Sequence, residues 1–433
     1  MDIVLIIIII TLFILIIISY SFKSLDFVAI SLICCFSAAT ITGLVKGIAI
    51  EKFITYIDFK VIVIILSINI ITKIAQDSNI LEYIAIKLFK ISKGNQKVFF
   101  YLLCLISTLL ASIFVNDFLV ILILAPVVIR LCRYLKINSG TYLIGMSICV
   151  NLGGLVSPLS GGDMIIISSY FKLNPLYYVQ YFLLFSFFLI FITIYLMDRL
   201  FLSKEPIIDS TQKKQVLDLI NADVMIKSKK MFYFNSIAII VTIVLFFILP
   251  LIYLTAAFSA MILTIVNKRY LKTNMSQMLK DVEWEMIFFF ISLYVMLGCL
   301  LEAGFDEIFE KIPFQDFNPF VLGLIIFLIC SVLAGIILNV PIALIFIPIV
   351  DVLIHVYGFP SIILIYALIF GFNIGDNLIP QGSSCNLMTL KIARDSGVKN
   401  LNYKRLLKVG AFFALIHIVL SIGYLYILYL LYG

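Results

Sequence analysis

Charge is scarce in this chain. Only 13% of its 433 residues are Asp, Glu, Lys or Arg, while 63% are apolar and the mean hydropathy is +1.19. Soluble domains carry about a quarter charged residues, so the composition argues against a soluble enzyme and against a nucleic-acid partner. Histidine is nearly absent, with only His355 and His417, both near the ends of apolar runs. The eight cysteines (Cys34, Cys35, Cys104, Cys132, Cys149, Cys299, Cys330 and Cys385) fall almost wholly inside apolar runs, and none makes a CxxC pair. Neither a zinc centre nor a disulfide framework is therefore expected. No Ser/His/Asp arrangement or phosphate loop occurs, so no enzyme is expected, and no cofactor beyond a coupling cation. The first apolar segment, Ile3 to Tyr20, has no basic stretch before it and no small-residue cleavage site after it, and reads as a retained helix.

What the chain has in abundance is long apolar runs, each crossing needing about 20 residues. Spans are expected near Ile3 to Tyr20, Phe27 to Val45 and Val61 to Ala75. The charged segment Gln76 to Lys97 has helical periodicity (Ile80, Ile84, Leu88, Ile91) and reads as interfacial. Val98 to Leu131 is too long for one crossing and carries Asn116 and Asp117 near its middle, the pattern of a re-entrant helical hairpin. Tyr142 to Tyr170 is also overlong and is broken by Asn151, Gly153, Gly154 and Pro158. Tyr178 to Met197 then leads to a polar linker.

The same order recurs in the second half, from Phe232 to Leu431, with Asn339 in its overlong segment and a broken span from Ser361 to Leu390. Asp58 and Asn116 answer to Asp281 and Asn339, 223 positions on; Asn151, Gly153 and Pro158 answer to Asn373, Gly375 and Pro380, 222 positions on. A repeat of this length redefines the architecture. The expectation is an all-α polytopic membrane protein of two repeats, 1–197 and 232–433, joined by a cytoplasmic linker, 198–231. Each repeat has five transmembrane helices, a re-entrant hairpin and a broken helix. Five is odd, so the repeats are inverted. With the linker inside, 26 of the 31 Lys and Arg fall in inner loops, the other five lie outside, and both termini are outside.

Backbone leaves the helix at membrane depth only where it is buried in protein or lines a cavity. Paired breaks in inverted halves point to the midplane site of a transporter. Here the pieces are Asn116-Asp117, the run from Asn151 to Pro158, Asn339-Val-Pro341, and the run from Asn373 to Asn386. Free carbonyls and amide oxygens suit a hard cation such as sodium, and free N–H groups suit an anion. Cation binding is therefore expected at Asn116, Asn151, Gly153, Gly154, Asn339, Asn373, Gly375 and Asp376. Substrate binding is expected at Asn116, Asp117, Asn339, Asn377, Ser383 and Ser384.

Asn116-Asp-Phe-Leu-Val-Ile-Leu-Ile-Leu-Ala-Pro126-Val-Val-Ile resembles the Asn-Asp hairpin motif of bacterial arsenite permeases. Asn151-Leu-Gly-Gly and Gly375-Asp-Asn377-Leu-Ile-Pro-Gln-Gly382-Ser-Ser-Cys-Asn386 are similar to the paired motifs of the citrate-transporter-like, P-protein and NhaD-type sodium/proton antiporter branches. All belong to the ion transporter superfamily, and the resemblance covers essentially the whole chain. It implies a homodimer in which a mobile transport region moves as an elevator against a scaffold. The family's first break often ends in Pro-Pro-Asn, whereas Gly162, Asp163 and Met164 stand here, so the carry-over stops at Pro158.

Four acids fall within the membrane by this topology: Asp117, Asp163, Asp351 and Asp376. Such residues normally face a cavity, although an Asp also caps half-helices. Asp351, with His355 one turn on, reads as an end residue, and Asn69 and Thr72 read as packing. The expected function is secondary active transport in the cell membrane, with Na+ or H+ driving a small inorganic or organic anion such as a carboxylate or arsenite-like oxyanion. The alternatives are a Na+/H+ antiporter, favoured by buried acids without a buried base, and, from another class, an ion channel.

Overall fold

Isoleucine-rich runs favour strands in water, yet here they are helical, because in lipid only a helix or a closed barrel satisfies every backbone group. The structure is a computed structural model that describes residues 2–21, 25–114, 117–206, 217, 222–226, 228–271 and 275–433. Within the expected linker, residues 207–216, 218–221 and 227 lie outside the described residues, as does Asn116. Among those described there is no strand. Among the described residues, eight helices are long and apolar enough to cross a membrane, and the chain is a multi-pass protein of the cell membrane. Exposed aliphatic side chains such as Leu44, Leu184, Ile265 and Val419 form its lipid-facing surface.

The first seven principal helices are α1 (Ile3–Ser21), α2 (Phe27–Lys46), α3 (Phe59–Asp77), α4 (Ile80–Ile91), α5 (Gln96–Ala111), α6 (Asp117–Tyr134) and α7 (Gly140–Asn151). A 3-10 turn, Leu152–Leu155, ends α7; α8 (Gly162–Tyr170) and α9 (Leu183–Leu200) follow. After the linker come α10 (Lys229–Ile248), α11 (Ile252–Leu271), α12 (Trp284–Glu302), α13 (Pro319–Ile336) and α14 (Asn339–His355). Last are α15 (Ser361–Gly375), a 3-10 turn at Pro380–Gly382, α16 (Ser384–Asp395) and α17 (Tyr403–Tyr432).

The starts of these helices are set by local chemistry. Asp26, Asp58, Asn95, Asn318, Ser383 and Asn402 each accept a hydrogen bond from a first-turn N–H, satisfying a donor the helix leaves free. Gly47, at φ 67°, ends α2 in the left-handed region that favours glycine. Pro126 within α6 and Pro348 within α14 each remove one helical hydrogen bond. The two overlong segments are each two helices, α5 with α6 and α13 with α14. The charged stretch after α3 is helical as well, but its buried face differs from the expected stripe. Ile80 and Leu88 of that stripe are covered together with Leu81, Ala85, Ile86 and Phe89, whereas Ile91 is exposed.

Packing joins the two halves of the chain. α2 lies on α12 and α3 on α11; α6 lies on α16 and α8 on α14. Within the halves, α5 packs on α7 and α13 on α15. Side-chain contacts define two ends of the molecule. One carries Asp58 with Ser169, Lys52 with Glu302 at 2.6 Å, and Asp351 with His355 at 2.9 Å. The other carries Lys73 with Asp281 at 3.3 Å and Lys97 with Asp198 at 3.3 Å.

Candidate transport site

Four helices begin at one place between these ends. α6 starts at Asp117, α8 at Gly162, α14 at Asn339 and α16 at Ser384, and all four residues border one cavity of about 150 Å³. Each start leaves N–H groups without helical partners and carries about half a positive charge. Against these stand three carboxylates on the cavity wall, Asp117, Asp163 and Asp376, with Glu283 as a fourth acid. No Lys, Arg or His is among the described residues that border it. Four half-charges offset about two of the acids, so the wall as a whole favours a cation. An anion fits only when cations or protons accompany it.

The breaks are cross-linked by amides. Asn151, the last residue of α7, donates from Nδ2 to Asn377 Oδ1 at 2.9 Å and accepts from Ser383 Oγ at 2.9 Å. Asn339 Nδ2 donates to Asp376 Oδ2 at 3.0 Å, and Asn386 Nδ2 donates to the Asp376 carbonyl at 2.8 Å. Gly154 lies against Asn373: a Cβ there would fall 1.6 Å from Asn373 Oδ1, so only glycine lets the first break touch the second. Three polar atoms in this group are buried without a protein partner, namely Asp376 Oδ1, Asn339 Oδ1 and Asn377 Nδ2. Leaving such an atom unpaired costs about 1–3 kcal/mol, and the two oxygens are acceptors of the kind hard cations take.

The cavity brings together Asp117, Asn151, Gly154, Asn339, Asn373, Asp376, Ser383 and Ser384. Asn377 is buried beside it through its bond to Asn151. Gly153 and Gly375 face helix backbones instead: a Cβ on Gly375 would lie 2.3 Å from the Ser331 carbonyl, and one on Gly153 3.0 Å from that of Thr108. Their backbone serves close packing. Asp163, one of the four acids read from the sequence as cavity-facing or capping, also borders the cavity. Asn69, expected to be packing, borders it as well, as do Tyr20 and Glu283. Asn69 and Tyr20 belong to helices without breaks, so no local irregularity marked them. Asp351 pairs with His355 at one end of the molecule, as expected.

The two breaks are stitched to each other by side chains more than 200 positions apart. A family described as Citrate transporter matches residues 4–350. An uncharacterized transporter of Mycobacterium tuberculosis is 26% identical over 383 residues, 87% of each chain. The 46 kDa membrane protein of Mycobacterium leprae is 26% identical over 389 residues, 87% of this chain and 88% of its own. The human P protein is 27% identical over 121 residues, 28% of this chain and 14% of its own. The crystal structure of the Alcanivorax borkumensis YdaH transporter superposes with a TM-score of 0.61 at 10% identity, over 85% of this chain and 84% of that one. At that identity the likeness concerns the fold alone.

Proposed function

The chain belongs to the citrate transporter family, and from that premise we propose that it moves a small carboxylate-class anion together with Na+ or H+ through the cavity between α6, α8, α14 and α16. The observation that carries this reading is the meeting of four helix starts with three carboxylates in one buried cavity. Cations or protons at Asp117, Asp163 and Asp376 lower the negative charge, and the N–H groups with Ser383, Ser384 and the Asn amides then hold the anion. The orphaned oxygens of Asp376 and Asn339 are the cation ligands, Asn151 and Asn373 complete the polar wall, and Asn116 is assigned to the cation site from the sequence alone.

The architecture behind this site is two inverted repeats, 1–197 and 232–433, with α5–α6 and α13–α14 as re-entrant hairpins. Support comes from packing that exchanges the halves: α2 on α12 mirrors α11 on α3, and α6 on α16 mirrors α14 on α8. Pro126 and Pro348 stand 222 positions apart in the returning helices. Thr193 Oγ and His417 Nε2, 224 positions apart, meet at 2.7 Å. Both residues lie on the last span of their half, and a contact between those two spans fits a position near the axis that relates two repeats. The basic residues put the Lys73 end inside the cell, and the protein works as a homodimer.

The test is uptake into proteoliposomes of citrate, and separately of arsenite, with and without sodium and pH gradients. Citrate uptake that collapses without a cation gradient is the expected result. No anion uptake under any gradient, with proton flux driven by sodium alone, would establish the second reading, Na+/H+ exchange, which the lack of a basic side chain around the cavity favours. A cysteine placed at Lys213 should react only with reagents from the inner side; labelling from outside alone would reverse the topology.

A further inference from the structure

At one end of the molecule the gap between α8 and α3 is shut. Asp58 caps α3, its Oδ1 accepting from the Lys60 N–H at 3.0 Å, and its Oδ2 accepts from Ser169 Oγ on the last turn of α8. α8 packs along α3 and α14, and Ile165 on α8 is 2% exposed. The equivalent place in the second half is open. Ser169 stands seven residues after the start of α8, and Lys391 stands seven residues after the start of α16. Asp58 and Asp281, 223 positions apart, each lead into a span. The counterpart of the Asp58–Ser169 contact is thus Asp281–Lys391, and it is not made. Asp281 pairs instead with Lys73 at 3.3 Å, and Lys391 is exposed. Leu387, the counterpart of Ile165, is 37% exposed and borders a vestibule of about 630 Å³ together with Tyr20, Glu285 and Leu338. Tyr20 and Leu338 also border the central cavity, so they are the wall between the two spaces.

Inverted repeats exchange their conformations when access alternates. We propose that Asp58–Ser169 and Asp281–Lys391 are alternating latches, made in opposite states of the transport cycle. This rests on the inverted arrangement proposed above. In the state opposite to the one described, Lys391 takes Asp281 from Lys73, α16 closes on the start of α12, and Ser169 leaves Asp58. Lys73 keeps Asp77, which it already holds at 3.5 Å. The exchange moves one carboxylate from the half-buried Lys73 to the exposed Lys391, and pairs this accessible to solvent contribute little net stability. Neither state is therefore trapped by its latch, as a cycling carrier requires.

Two double-cysteine variants of the full chain in membranes test this, D58C/S169C and D281C/K391C, each treated with a short thiol cross-linker and compared with the parent, whose eight cysteines are buried. Both pairs should cross-link. Adding K391E to D58C/S169C removes the second latch and should raise its cross-linking rate at least about threefold through a shift in population. Cross-linking of D281C/K391C no faster than the parent background, while D58C/S169C reacts fully, would overturn the proposal. So would an unchanged D58C/S169C rate with K391E. Cross-linking reads geometry whichever ion moves, so a failure of the anion-transport reading would show in the uptake assay and leave these results unaffected.

Discussion

Helices α8 and α16 begin 222 positions apart and both start at the cavity, yet they lie in different surroundings. Every side chain of α8 from Asp163 to Ser168 is buried, whereas α16 leaves Leu387 and Lys391 exposed on one face. Ile165 and Leu387 are both aliphatic and occupy equivalent positions, so residue type does not account for 2% against 37% exposure. The difference lies in the neighbours: α14 and α3 both pack on α8, whereas α12 does not pack on α16 in the same way. The comparison teaches that equivalent elements of this chain differ by what packs on them, and that the open one adjoins the path to the site.

The largest effect expected from breaking this comparison is on stability. Ile165→Ala removes a fully packed side chain and should destabilise the purified protein by about 2–5 kcal/mol. Leu387→Ala, at the exposed counterpart, should change the melting temperature by a small fraction of that shift. Equal shifts in a thermal melt would mean that the vestibule face is covered. Next in size is Asp376→Asn, which removes an acid that the first break lacks, since Gly154 holds the equivalent position. Losing a desolvated charge partner should weaken cation activation of uptake by about 2 kcal/mol, roughly 30-fold, while anion binding persists. An unchanged sodium or proton activation curve would remove Asp376 from the cation site.

A third variant, Gly154→Ala, forces a Cβ onto Asn373 and should cost about 1–3 kcal/mol by overpacking, separating the two breaks and lowering uptake. Full activity and an unchanged melt would show that the breaks need not touch. The smallest effect is expected for Asn339→Ala, which removes one neutral amide beside Asp376. Sodium activation should weaken by about 1 kcal/mol, with less change in anion affinity. Measuring Asn116→Ala alongside sharpens the comparison of halves, because similar losses are expected if both halves ligate cations and a loss in one alone would confine the site to that half.

Much of the site was legible because breaks in apolar sequence are conspicuous. Asn151, Asn339, Asn373 and Asp376 interrupt runs that would otherwise be continuous, and polar groups at such depth have few tolerable surroundings other than a cavity. Asn69 was not legible, since a single amide within an unbroken helix also serves as packing glue. Tyr20 and Glu283 sit at helix ends, where polar residues are ordinary. Helix α4 was legible as a helix, and Ile80 and Leu88 of its stripe are buried, but Ile91 is exposed and Leu81, Ala85 and Phe89 are covered instead, which depends on the neighbours that fold against it.

Hydrophobic length, the placement of basic residues and the spacing of breaks are properties of the chain read along its length. They were enough to determine a multi-pass helical protein whose polar breaks recur at offsets of 222 and 223 positions. Lipid cannot satisfy a backbone, so those features leave few choices of local structure. Which break meets which is a different kind of fact. That Asn151 bonds to Asn377 and Ser383, that Gly154 rests on Asn373, and that Asp163 joins Asp117 and Asp376 on one wall depends on contacts between residues far apart in sequence. Only the tertiary structure decided these, because the packing of α5 on α7, α13 on α15 and α6 on α16 sets how far each half-helix reaches into the centre.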